Sequence, residues 1–219
     1  MSNEIFKWMP HMLDYDVETE WDTIITGFSN GTEHRRNRRG REVGYWKFNY
    51  MAAVICGYTK NKLQDDILSF FNSRKGAYDN FWLPSWELEF KTTGSANAKT
   101  ELWFTQDPEL LGFTTTAGDQ GNYLYVCNRY CTTFDPDFSI SHEVKRISAI
   151  TKFDADNWYI TIVGTLTNDY SNGARVQKAY KVRFVNDKLK RGFKCPWVWE
   201  EDLQFKEDVA SMYTELGDL

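Results

Sequence analysis

No run in this chain approaches the roughly 20 consecutive apolar residues that a membrane-crossing helix requires. The longest apolar stretches are strand-like and broken by charge, so membrane insertion is not expected. The opening MSNEIFKWMPHMLDYD lacks a basic segment followed by an apolar one, and function without secretion is the expectation. Histidine is scarce: His11, His34 and His142 are the three present, at no metal-binding spacing. Of the four cysteines, Cys56, Cys127, Cys131 and Cys195, only Cys127 and Cys131 are neighbours. Zinc sites usually take two such pairs or add paired histidines, so no metal or other cofactor is expected. In a chain without an export signal the thiols are expected reduced and buried.

Catalytic signatures are missing too. There is no Gly-x-Ser-x-Gly, phosphate-cradling glycine loop or His-Glu-x-x-His. The acid pairs Asp65-Asp66, Glu200-Glu201 and Asp135 with Asp137 read as solvated faces or loops, because catalysis by two carboxylates needs a spatial separation that spacing alone does not supply. The chain is expected not to be an enzyme.

What the chain has in quantity is aromatic residues, 16% of the total with nine Trp, in a 219-residue sequence long enough to bury a sizeable core. The net charge of −5 and a pI near 5.3 argue against a surface built throughout to hold nucleic acid. One basic run stands out, His34-Arg35-Arg36-Asn37-Arg38-Arg39-Gly40-Arg41. It reads first as a hairpin pairing with carboxylates of the same or a neighbouring subunit, and second as a phosphate-binding element facing DNA. Arg35, Arg36, Arg38, Arg39 and Arg41 are accordingly candidate subunit-interface or lumen residues. Trp197-Val198-Trp199 reads as cross-strand packing, with sugar stacking as the alternative.

Periodicity predicts one clear helix, over about 62–75, with Leu63, Ile67, Leu68, Phe70 and Phe71 on its core face. Asn61 and Gln64 resemble a capping box, and Gly76 suits the left-handed position beyond the end. Before it, Glu20–Gly27 and Val43–Tyr50 read as strands flanking the turn Ser29-Asn30-Gly31, with Met51–Cys56 a short apolar strand. After it, Pro84 implies an edge, bulge or bend. Leu88–Thr92, Glu101–Thr105, Tyr123–Asn128, Ile140–Phe153, Trp158–Thr167 and Lys178–Val185 then read as successive strands, and the tail beyond Val209 as acidic and weakly helical. The class predicted is mainly β, a β-sandwich or split barrel with one amphipathic helix and a second β-rich insert. Residues 1–93 plus 178–219 are expected to form one β domain with the helix and 94–177 the β-rich insert.

Three motifs in order carry a likeness. Ser29, Gly31, Glu33 and Arg35 precede aromatic strands; Phe70, Phe71, Arg74 and Gly76 close a helix; Phe81, Trp82, Pro84 and Trp86 follow, with Arg183-Phe184-x-x-Asp187 near the end. In these the chain resembles the distal tail or tail-tip (minor tail) proteins of tailed bacteriophages, well over its first ninety or so residues and loosely in its C-terminal third. The resemblance implies a structural virion-tail subunit assembled in the host cytoplasm. It further implies a homo-oligomeric ring, a hexamer first and a trimer second, between the tail tube protein and the tip or hub protein, through which DNA or a tape-measure protein passes. The iron–sulfur cluster of some related tip proteins is not carried over, since the scattered cysteines do not match its pattern. A carbohydrate- or receptor-binding tail component is the alternative.

Overall fold

The computed structural model describes residues 4–8, 15–27, 33–53, 60–86, 89–94, 96–97, 100–116, 119, 121–128, 141–195 and 198–208. Strands β1 (Tyr15–Gly27) and β2 (Glu33–Ala53) form an antiparallel hairpin paired from Tyr15↔Phe48 to Gly27↔Glu33. Both are longer than their hydrophobic pattern predicts. Ladder bonds use only backbone groups, so the polar Glu33–Arg39 stretch sustains a strand wherever a partner strand lies alongside. The Ser29-Asn30-Gly31 turn, Cys56, Cys131, Trp197, His11, Asp135, Asp137 and the tail beyond Val209 lie outside the described residues.

Helix α1 spans Lys60–Ser73, two residues earlier at each end than the periodicity gives, which places Asn61 inside the first turn. Its C-terminal stop explains the later boundary. The Lys75 N–H donates to the Asn72 carbonyl at 3.0 Å and the Gly76 N–H to the Phe71 carbonyl at 3.2 Å, a Schellman closure. Lys75 (φ 53°) and Gly76 (φ 63°) are both left-handed, so the helix ends ahead of them, with Gly76 in the conformation expected of it. Ile67, Phe70, Phe71 and Arg74 form the buried stripe at i, i+3, i+4 and i+7, while Leu68 is only half-buried.

The remaining strands are β3 (Phe81–Pro84), β4 (Phe90–Lys91), β5 (Ala96–Asn97), β6 (Glu101–Phe104), β7 (Tyr123–Cys127), β8 (His142–Lys152), β9 (Trp158–Ile162), β10 (Asp169–Tyr170), β11 (Arg175–Phe184), β12 (Lys190–Cys195) and β13 (Val198–Glu207). The large antiparallel sheet runs β1-β2-β13-β11-β7-β8-β9-β6, with β12 on β13, and β3 and β4 on β11; β5 and β10 pair separately. The fold is mainly β, of the sandwich or barrel class, with one α-helix among the described residues. A membrane-spanning helix of sufficient length and apolarity is absent among those residues.

Pro84 closes β3 opposite Ala179. Trp82 gives its N–H to the Glu4 carbonyl at 2.9 Å and takes the Phe6 N–H at 2.8 Å, so its polar backbone groups face away from β11. Pro84, two residues on, faces the same way, where its missing N–H costs no bond to β11. The expected bend follows at once, with Trp86 at φ 56° and its N–H held by Gln177 Oε1 at 3.1 Å.

Strand β11 divides the interior. Toward its end, Tyr180, Val182 and Phe184 join a predominantly aromatic core with Phe6, Trp8, Ile67, Phe70, Phe71, Phe81 and Phe205. Toward its start, Val176 joins Phe90, Leu102, Phe104, Leu124, Val126, Ile147, Ile160 and Ile162 in a second core. Ala179, on the opposite face, packs with Trp82, Tyr123, Tyr125 and Cys127. Ile160 and Ile162 point inward and Val163 is exposed, as the two-residue period of a strand requires.

Candidate assembly surface

β13 pairs with β2 only from Tyr45 to Ala53. From Glu33 to Gly44, β2 therefore has β1 as its one strand partner among the described residues, and the hairpin continues as a two-stranded ribbon. The candidate arginines all lie on this part. Arg35 is opposite Ile25 and Arg36 opposite Ile24 in regular register. Arg38, Arg39 and Arg41 are not. The ladder jumps from Thr23↔Asn37 to Trp21↔Glu42, leaving Asp22 alone on β1 against Arg38-Arg39-Gly40-Arg41 on β2. A break of that kind in a ribbon adds twist and releases backbone from pairing, and here it coincides with the densest positive charge in the sequence.

The second part of the surface is where α1 ends. The turn Arg74–Tyr78 meets the loop after β11: the Ala77 N–H donates to Asp187 Oδ1 at 2.9 Å. A Cβ on Gly76 would stand 2.8 Å from that same oxygen and 3.0 Å from the Asp187 Cα, so only glycine fits. Two motifs of the resemblance, separated by about 110 residues in the chain, are thus in contact. Arg74 is buried, paired to Glu4 at 2.7 Å and lying over the Phe70 ring at 5.8 Å, which ties the N-terminal segment to the helix end. Tyr78 projects outward, 77% exposed, with Lys75 Nζ 5.3 Å from its ring centre. Beside this turn a groove of about 230 Å³ runs between Phe71, Phe184, Leu189, Lys47 and Lys188.

Elsewhere the polar groups are committed to structure. Glu143 on β8 accepts from the Thr167 N–H (2.9 Å) and hydroxyl (2.6 Å), the Asn168 N–H (2.7 Å) and side chain (3.0 Å), and the Tyr170 hydroxyl (3.2 Å), with Lys145 Nζ at 3.0 Å. Burial alone would raise its pKa, but the donors from Thr167, Asn168 and Lys145 outweigh it and hold the carboxyl down at about 2. Burial, then the Glu143 charge, pushes the Tyr170 phenol upward. Such a carboxylate clamps the loop 166–170 and has no proton to lend at neutral pH. Asp154 is likewise absorbed in its own turn, holding the Asp156 and Asn157 N–H groups at 2.9 and 2.8 Å.

Among the described residues no group of three His, Cys, Asp or Glu side chains could hold a metal. Cys127 is buried as a free thiol. His142 stacks with Tyr125 at 6.3 Å. Glu200 and Glu201 are ladder positions of β13 opposite Met51 and Tyr50, and Trp199 sits on the same strand between Ala52 and Phe193. What sequence reasoning missed is the junction of Gly76 with Asp187 and the Glu143 clamp; a glycine and an aspartate far apart in sequence carry no signal that they touch. No protein-family model matches the chain, and no curated protein sequence matches it.

Proposed function

We propose that this chain is a structural subunit of a phage tail, a distal tail or tail-tip component that forms a closed homo-oligomeric ring. In that reading it joins the tail tube to the tip or hub, lets DNA or a tape-measure protein pass, is located in the virion tail, and performs no chemistry. The observation that supports it best is the β1–β2 ribbon, which runs on past the cover of β13 with three arginines in its register break. A two-stranded ribbon is marginal by itself in water, so one of this length gains stability by lying on a neighbouring subunit. Ring interfaces that close by rotation need such an extended, charged contact beside apolar anchors.

The test is the mass of the purified protein in solution across a concentration series, for the wild type and for a variant with Arg35, Arg36, Arg38 and Arg39 changed to Gln. A hexamer or trimer that the variant fails to form, while its circular dichroism shows a folded monomer, is expected. A wild-type protein that neither oligomerises nor assembles on a tail tube overturns the reading.

One observation favours the alternative, a carbohydrate-binding tail component. Trp103 lies 5.0 Å from Tyr159 with planes 33° apart, next to Phe153, which is 65% exposed. These side chains form an aromatic row on β6, β9 and the turn beyond β8. Glycan binding lost in Trp103→Ala would favour it.

A further inference from the structure

A polar cavity of about 330 Å³ lies away from the ribbon and the helix end; its lining includes Ile5, Trp82, Tyr123, Val144 and Arg146, together with the Glu143–Lys145 ion pair. Its residues come together for a topological reason. His142, Val144 and Arg146 alternate on β8 opposite Cys127, Tyr125 and Tyr123 of β7, so all six belong to one face of that strand pair. The N-terminal segment supplies the far wall through the Ile5↔Trp82 bridge.

The charge in this cavity is not balanced from within. Arg146 has no carboxylate partner among the described residues. The one carboxylate on the wall, Glu143, is already saturated by Thr167, Asn168, Tyr170 and Lys145. A half-buried guanidinium beside apolar Ile5 and Val144 suits a carboxylate flanked by apolar groups.

From this we infer that the cavity is a binding socket for an acidic side chain of a polypeptide partner, an Asp or Glu set between apolar residues, with Arg146 as its anchor. A sugar acid fits less well, because Trp82 and Tyr123 are only 5% and 8% exposed and offer no open ring face on which a pyranose would stack. The socket stands independently of the tail assignment.

The experiment is an NMR titration of the full chain with acetyl-Leu-Asp-Leu-amide, with acetyl-Leu-Asn-Leu-amide and sodium glucuronate as comparisons. Saturable shifts at the Trp82 indole and at Arg146 are expected with the Asp peptide. Affinity is expected to fall about tenfold for the Asn peptide and for Arg146→Gln, the loss of roughly one charge-assisted bond, and to recover in part in Arg146→Lys. Spectra of the free variants that overlay the wild type away from β8 establish that they are folded. Absent saturation up to millimolar peptide, equal affinity for the Asp and Asn peptides, or unaltered binding by Arg146→Gln overturns the socket; glucuronate bound as tightly as the Asp peptide overturns the choice of a polypeptide.

Discussion

Gly76 and Asp187 occupy each other's space: the aspartate oxygen that accepts the Ala77 N–H at 2.9 Å stands where a Gly76 side chain would begin. Gly76→Ala therefore meets both a left-handed backbone and a collision. We expect a loss of about 2–4 kcal/mol in urea unfolding, against about 1–2 kcal/mol for the backbone term alone. In an Asp187→Ala background the contact with the carboxylate oxygen is removed and only that with the residue 187 backbone and Cβ remains, so the double variant should be more stable than the sum of the single losses predicts. Additive losses would mean that the contact is not energetically coupled.

Glu143 sets a pH dependence whose sign is fixed. Its folded pKa, about 2, lies below the ordinary value of 4.5, so its stabilisation is complete above that ordinary value and is lost as pH falls toward 2. Glu143→Gln should cost about 2–3 kcal/mol at neutral pH, as expected for hydrogen bonds to a charged group. The gap between variant and wild type should close on acidification. Thermal melts from pH 7 to pH 2 check this, and a gap constant across that range would contradict the clamp.

Phe6 is fully buried among Trp8, Phe70, Phe81 and Phe205, with ring centres 4.9 to 6.2 Å away. Phe6→Ala should cost about 3–5 kcal/mol through the cavity it leaves. Dye binding to exposed apolar surface should rise in the same variant. A loss below about 1 kcal/mol would show that the segment contributes little to the core, since removing a packed aromatic side chain costs several times that.

Cys127 is sealed. Burial pushes its thiol up to about 12, so at pH 8 almost none is thiolate. Iodoacetamide should modify Cys127 at the rate of unfolding, measured by peptide mass spectrometry, and not at the rate of an accessible thiol.

The sequence makes the local elements legible and leaves their meetings hidden. Ile67, Phe70 and Phe71 at helical spacing and Ile160 and Ile162 at strand spacing are buried as their periods require. Gly76 announces the helix end because it takes a left-handed backbone without strain, and Pro84 the bend because its ring fixes φ and removes a donor. The length of β2 was less legible, since its polar half is held by register with β1 and not by apolar alternation. Long-range partners were not legible at all. Asn80 reaches Asp208 and Arg175 reaches Glu89 across sequence gaps that periodicity does not span. For the candidate site, the arginine run was plain as composition, but its division between ladder positions and a register break depends on how many residues β1 offers opposite it.

One strand carries a mechanical consequence. β11 is gripped by Lys91 and Cys127 at Arg175, and by Phe81 and Glu207 at Val182. A pull transmitted from the aromatic core to the largely aliphatic one passes along its covalent backbone, with the flanking ladders loaded in shear and sharing the force over many bonds. Detaching the two halves would thus require those bonds to fail together, a rupture geometry that resists force better than ladders peeled apart one bond at a time.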